Sequence, residues 1–104
     1  MSLIGNIEDF ADCTATGIVV GSLRLLVLRR GGDIFVYQNS CPHTRESLDP
    51  TGGSVASPDG LLLHCQRHAA VFVADTGECV GGPCQGERLT PVAFTLSNGD
   101  VYLD

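Results

Sequence analysis

Short apolar runs separated by glycine-rich segments set the pattern of hydrophobic and polar positions in this chain of 104 residues. No long stretch shows the three- and four-residue apolar spacing of an amphipathic helix, whereas short runs bounded by turn residues are typical of strands. The pattern predicts strands at 17–21, 23–30, 34–38, 61–64, 70–74, 91–96 and 101–103. So many short strands predict an all-β fold, a small antiparallel sandwich or barrel.

Three segments between these runs predict hairpin turns. Gly31-Gly32-Asp33 and Asp75-Thr76-Gly77 each separate two apolar runs. The third turn, at 97–100, contains Asn98-Gly99, a dipeptide in which both positions tolerate positive φ. The longest irregular stretch, 50–60, predicts a surface connection with room for a short helix.

The composition, 43% hydrophobic and 17% charged, predicts a folded chain, and we expect a single domain over residues 1–104. No apolar run reaches the roughly 20 residues that cross a bilayer, and no signal-peptide pattern is visible, so a cytoplasmic location is expected. The net charge of −6 argues against nucleic acid and anionic membranes as partners. Docking to a basic protein would suit this charge, but ordinary solubility is the simpler interpretation.

The five cysteines, an odd number in a chain without a secretory signal, make a disulfide framework a poor fit. Metal or redox chemistry is the better expectation for cysteines that have histidine neighbours. Cys79 and Cys84 flank the sequence VGGP. A disulfide or a redox switch is one interpretation of this pair, and free thiols are the favoured one. Cys13 is expected to be a core or loop thiol.

Two cysteine–histidine pairs carry the candidate chemistry. Cys41 and His43 form a Cys-x-His pair, and Cys65 and His68 form a Cys-x2-His pair, each directly after a predicted strand. Four such ligands fit either tetrahedral zinc or a [2Fe–2S] cluster with two cysteines on one iron and two histidines on the other. Mixed ligand types within each loop favour the cluster. His64 is a weaker candidate, because neighbouring strand residues point to opposite faces.

At these motifs the sequence resembles the Rieske ferredoxins, whose signature is Cys-x-His in one loop and Cys-x2-His in a second. The likeness extends beyond the ligands, from about residue 31 to 104. It includes CPHT and SL in the first loop, HAAVFVADTGECVGGP after the second, and the closing segment LTPVAFTLSNGDVYLD. The resemblance implies a Rieske fold with two cluster-binding loops and a third loop, at VGGP, that shields the cluster.

By this resemblance Cys41 and Cys65 would bind the buried iron, and His43 and His68 the outer iron. Neutral imidazoles in place of thiolates make the cluster easier to reduce than an all-cysteine one.

The chain departs from relatives of the family at four positions. Ala69 stands where the family usually has glycine. Arg67 replaces the extra cysteine of the bc-type Rieske proteins, and Ala70 and Phe72 replace their serine and tyrosine. Hydroxyl donors to the cluster stabilise its reduced form, so their absence predicts a reduction potential at the low end of the Rieske range, roughly −150 mV.

The resemblance implies a soluble one-electron carrier that accepts an electron from a reductase and passes it to a terminal oxygenase, such as a ring-hydroxylating dioxygenase. The protein would not be an enzyme by itself, since its sequence shows no nucleophile beside a base, phosphate-binding loop or dinucleotide fingerprint. Two alternatives stay open: a structural zinc-binding module, and a small Rieske-like subunit of a nitrite-reductase-type complex.

Overall fold

The computed structural model describes residues 2–40, 48, 54–66, 70–82 and 86–103, and these residues contain nine strands. A 3₁₀ helix at Ile7–Asp9 follows the first strand. The strands are β1 (Ser2–Asn6), β2 (Thr14–Val20), β3 (Leu23–Arg30), β4 (Asp33–Gln38), β5 (Leu62–His64), β6 (Val71–Val73), β7 (Cys79–Gly81), β8 (Phe94–Ser97) and β9 (Asp100–Leu103).

The strands form three antiparallel sheets of three strands each, in the orders β1-β9-β8, β2-β3-β4 and β5-β6-β7. The prediction of an all-β antiparallel fold is therefore confirmed. Within the described part of the chain, no helix is long and apolar enough to cross a membrane.

The sheet β2-β3-β4 lies between the other two sheets and packs against both, which explains the unbroken apolar run in β3. Leu25 and Val27 belong to a core shared with β9, whereas Leu26 and Leu28 belong to a core shared with β5 and β6. Alternate residues of a strand point to opposite faces, so a strand covered on both faces needs no polar position. Burying each leucine contributes about 1.5–3 kcal/mol.

Strand prediction succeeded where apolar runs are long. β3 has the predicted bounds 23–30, and β4 begins at Asp33, one position before the predicted 34–38. The predicted strand 91–96 begins only at Phe94, because Pro91 has no backbone N–H and forms just an isolated bridge with Tyr37.

Two strands were missed, β1 and β7. β1 has the sequence SLIGN, and its pairing register shifts between Leu3 and Gly5, which interrupts the alternation that sequence analysis relies on. β7 is three residues long and ends in glycine. Both strands are defined by their partners rather than by their own composition.

The predicted hairpin turns are present between β3 and β4, β6 and β7, and β8 and β9. Gly31 has φ of 62°, and Asn98 and Gly99 have φ of 53° and 84°, the two consecutive positive values that this dipeptide favours. The short helix considered for 50–60 does not occur in its described part, 54–60, where Ala56 instead forms a bridge with Leu63.

Tyr37 connects the middle sheet to the sheet β5-β6-β7. Its ring is buried, and its hydroxyl donates a hydrogen bond of 2.7 Å to the carbonyl oxygen of Ala74, which follows β6. Gly77, in the β6–β7 hairpin, has φ of +77°, and a Cβ atom there would lie 2.9 Å from Cε1 of Tyr37. The tyrosine ring therefore sets how closely the hairpin approaches the middle sheet.

Replacing Gly77 by alanine tests this contact, with Gly31→Ala as the matched control. Both glycines have positive φ, but a Cβ at Gly31 would meet nothing within 4 Å. The left-handed conformation costs an alanine about 1–2 kcal/mol at either position, and overpacking adds about 1–3 kcal/mol at Gly77 alone. Urea unfolding should show a larger loss for Gly77→Ala; equal losses would contradict the steric role of Tyr37.

Replacing Tyr37 by phenylalanine should lower the free energy of unfolding by about 1–2 kcal/mol, since it leaves a buried carbonyl unpaired. Burial, followed by the nearby charge of Asp75, raises the pKa of Tyr37 above its usual 10.0. An unfolded chain ionises this phenol first, so wild-type stability should fall as pH rises from about 10 toward the raised pKa. Denaturant titrations above pH 10 should show a shallower decline for Tyr37→Phe than for wild type or Tyr102→Phe, and parallel declines would refute the assignment.

Candidate functional site

The two predicted ligand loops leave different sheets. The first follows β4 in the middle sheet, and the second follows β5. Of the predicted ligands, Cys65 lies within the described residues, whereas Cys41, His43 and His68 lie outside them. The ligand set as a whole therefore stays a prediction, and the structure informs it through Cys65 and the residues that flank both loops.

Cys65 is the first residue after β5 and is a free cysteine with 5% of its surface exposed. Its side chain belongs to the core between the middle sheet and the sheet β5-β6-β7. Its backbone N–H donates to the carbonyl oxygen of Ala70 at 3.1 Å, so the two ends of the segment that contains position 68 are joined. A buried thiol at a strand end suits a ligand to an inner iron.

A second set of hydrogen bonds joins the two loops to each other. The Oδ1 atom of Asn39 accepts from the backbone N–H of Leu48 at 2.9 Å, and the carbonyl oxygen of Leu48 accepts from the N–H of Gln66 at 2.9 Å. Asn39 precedes the first loop, Leu48 follows its ligand pair, and Gln66 lies in the second loop. Sequence analysis missed Asn39 and Leu48; the available signal was an amide side chain at a strand end, two positions before a candidate ligand.

In space, the third loop begins beside the residues at which the second loop ends. Val71 of β6 pairs with Gly81 of β7, and Gly82, with φ of 83°, follows. This register places the start of the VGGP loop next to the strand that follows Ala70. Residues 83–85 lie outside the described residues, so shielding of a cluster by this loop stays a prediction.

Two observations on the residues around Cys65 relate to the sequence analysis. His64 is exposed whereas Cys65 is buried, as strand alternation predicts for neighbours. Ala70 and Phe72 are buried at 1% and 0% exposure. They present no hydroxyl group to the core that holds Cys65, which is the basis of the predicted low potential.

Cys79 corrects the expectation of free thiols around VGGP. Its sulfur is disulfide-bonded, and because Cys13 and Cys65 are free, its partner lies outside the described residues. The expectation rested on redox compartment and an odd cysteine count, neither of which measures distance. A disulfide requires two Cα atoms within about 7 Å, which only the fold can establish.

Cys13 is a half-buried thiol in the turn before β2, with φ of 56°. This position agrees with the expectation of a core or loop thiol. Its sulfur lies 3.6 Å from Oδ1 of Asp12. Burial, and then the neighbouring Asp12 carboxylate, raise the pKa of Cys13. A raised pKa leaves less thiolate, so this residue is a poor nucleophile or metal ligand.

The donor chemistry fits a Rieske cluster at the two loops. Cys65 supplies a buried thiol, and the segment before Cys41 is tied to the segment after Cys65 through Leu48. Among the residues that the structure describes, no group of three or more His, Cys, Asp or Glu could hold a metal ion. Three of the four predicted ligands lie outside those residues, so this finding does not bear on the predicted cluster site.

Alkylation tests the cysteine assignment. Cluster-free protein, denatured without reductant and treated with iodoacetamide, should be modified at Cys13 and Cys65 but not at Cys79, because a disulfide sulfur carries no thiol. Reduction beforehand should make Cys79 reactive, and peptide mass spectrometry without reduction should identify its partner. Full modification of Cys79 in the unreduced sample would contradict the disulfide.

Comparison with known proteins gives a curated relative. Cholesterol 7-desaturase of Caenorhabditis elegans is 26% identical over 91 residues, which are 82% of this chain and 21% of the desaturase. The chain thus spans about a fifth of the length of this curated relative.

Two solved structures share the fold. The ferredoxin of carbazole 1,9a-dioxygenase from Nocardioides aromaticivorans IC177 superposes with a TM-score of 0.79 at 17% identity, covering 99% of this chain and 97% of that one. A chain from the complex of reduced oxygenase and oxidized ferredoxin in carbazole 1,9a-dioxygenase gives a TM-score of 0.78 at 24% identity, covering 98% and 99%.

Residues 2–97 match the family model described as the Rieske [2Fe–2S] domain. The match takes in both cysteine–histidine pairs and most of the described strands, and it confirms the predicted family and its iron–sulfur cofactor. This chain belongs to the Rieske [2Fe–2S] domain family.

Proposed function

We propose that this protein is a one-electron carrier in which Cys41, His43, Cys65 and His68 hold a Rieske [2Fe–2S] cluster. The observation that carries the proposal is the family match over residues 2–97, which includes all four residues. The cluster supplies a site that accepts and releases one electron. In this assignment Cys41 and Cys65 are the thiolate ligands of the inner iron, and the two histidines are the ligands of the outer iron.

The surroundings of Cys65 support the proposal. A buried, free cysteine at a strand end is held in place before any metal binds, so little rearrangement is needed for ligation. Ala70 and Phe72, both buried, contribute apolar side chains without a hydroxyl group to the same core. Both effects favour reversible electron transfer, since a rigid and dry ligand environment changes little between oxidation states.

The proposed partners are an electron-donating reductase and an electron-accepting oxygenase. One structure with the same fold is a ferredoxin in complex with the oxygenase of carbazole 1,9a-dioxygenase, which supports this pairing by analogy. We infer that the chain acts as a single domain over residues 1–104, in the cytoplasm, and as an electron-transfer component rather than an enzyme by itself. The low potential argued from Ala70 and Phe72 belongs to the same proposal.

Absorption spectra of freshly purified protein, before and after dithionite, test the cluster. We expect a red-brown protein with about two irons and two acid-labile sulfides per chain, bleached by one electron equivalent in a dithionite titration. A colourless protein with about one zinc would contradict the proposal and favour the structural zinc-binding module.

Separate substitutions of His64 and His68 test the ligand assignment, with the same absorption spectra and iron assay as readouts. His68→Ala should lose the Rieske absorption spectrum and most of its iron, because one imidazole ligand of the outer iron is missing. His64→Ala is the matched control and should keep both, since His64 is exposed on the face opposite Cys65. A His68→Ala protein with wild-type iron content and spectrum would overturn the assignment.

A further inference from the structure

Asn39 is the one amide or charged side chain that is buried among the residues the structure describes, with 5% of its surface exposed. Burying an amide is unfavourable unless its polar atoms are paired, so this position needs a specific reason. It lies just beyond β4, two positions before Cys41.

The contacts of Asn39 connect two parts of the molecule. Its backbone N–H donates to the carbonyl oxygen of Arg24 at 2.9 Å, which fixes Asn39 to β3 in the middle sheet. Its Oδ1 atom accepts from the N–H of Leu48 at 2.9 Å. One residue therefore bonds to the rigid sheet through its main chain and to the far side of the first loop through its side chain.

Leu48 is also hydrogen-bonded to the second loop. Its carbonyl oxygen accepts from the N–H of Gln66, the residue that follows Cys65. Its side chain is fully buried in the same core as Cys65. Position 48 is thus held on both sides of its peptide and by its side chain, and it cannot shift without moving the residue next to Cys65.

We propose that Asn39 is a positioning residue for the iron–sulfur cluster. Through its hydrogen bond to Leu48, Asn39 fixes the distance between the two ligand loops. This inference rests on the proposed function, because the loops matter only if they hold the cluster. An amide suits the role, since it offers an acceptor to Leu48 without adding an uncompensated charge beside the core.

The test compares Asn39→Ala with Asn6→Ala, a matched control. Asn6 Oδ1 also accepts a backbone N–H at 2.9 Å, from Glu8, but it caps the 3₁₀ helix near β1. Both variants lose a side-chain hydrogen bond to the main chain, and Asn6→Ala also loses the 3.0 Å bond from its Nδ2 to Oδ1 of Asp100. Only Asn39→Ala disconnects the two loops. The readouts are the electron paramagnetic resonance spectrum of the dithionite-reduced protein, the half-life of its visible absorption in air, and the urea midpoint.

We expect Asn39→Ala to shift the g-values and to shorten the cluster half-life about tenfold, the change in a local equilibrium that one lost hydrogen bond to a buried group produces. Asn6→Ala should lower the urea midpoint but keep the wild-type spectrum and half-life. If Asn39→Ala does not fold, Asn39→Gln replaces it, and its displaced oxygen should shift the g-values as well.

The outcomes separate the two proposals. A wild-type protein with two irons and two sulfides, alongside an Asn39→Ala or Asn39→Gln spectrum that matches wild type and Asn6→Ala, would overturn the positioning role alone. A wild-type protein without an iron–sulfur cluster would overturn the proposed function, and the positioning role with it.

Discussion

Burial of the middle sheet on both of its faces is the constraint on which the rest of the structure depends. Leu25 and Val27 hold the sheet β1-β9-β8, and Leu26 and Leu28 hold the sheet β5-β6-β7. Each outer sheet buries its apolar side chains in a core that it shares with the middle sheet. The middle sheet therefore supplies a fixed platform against which the cluster-binding part is placed.

The candidate site follows from that arrangement. The first loop leaves the middle sheet and the second leaves the sheet β5-β6-β7. The predicted ligand pairs therefore meet only if those two sheets keep one relative position. Their shared core, with Tyr37 bonded across it to Ala74, provides that constraint at long range. Leu48 provides it at short range, between Asn39 and Gln66. The geometry of the predicted ligands therefore depends on how the core between these two sheets is packed.

Much of this could be predicted from sequence, and the failures have physical causes. The long apolar run of β3 predicts its bounds, and the tolerance of Asn98-Gly99 for positive φ predicts the turn. The spacing of the two cysteine–histidine pairs indicates the family. β1 and β7 are specified by their partner strands, and the Asn39–Leu48 bond joins positions that no local pattern relates. The disulfide of Cys79 depends on a distance between side chains, which composition and compartment do not determine.

The pairing of β1 with β9 has a consequence for chain entropy. The hydrogen bond from Asn6 to Asp100 spans 94 positions of sequence, whereas β5, β6 and β7 all lie between residues 62 and 81. Closing the longer loop costs more configurational freedom, by about 0.6 kcal/mol for each doubling of its length. Two strands this far apart in sequence are slow to find one another. The sheet that joins them must rely on Val101 and Leu103 against the middle layer, while the sheet beside Cys65 is assembled from near neighbours in the chain.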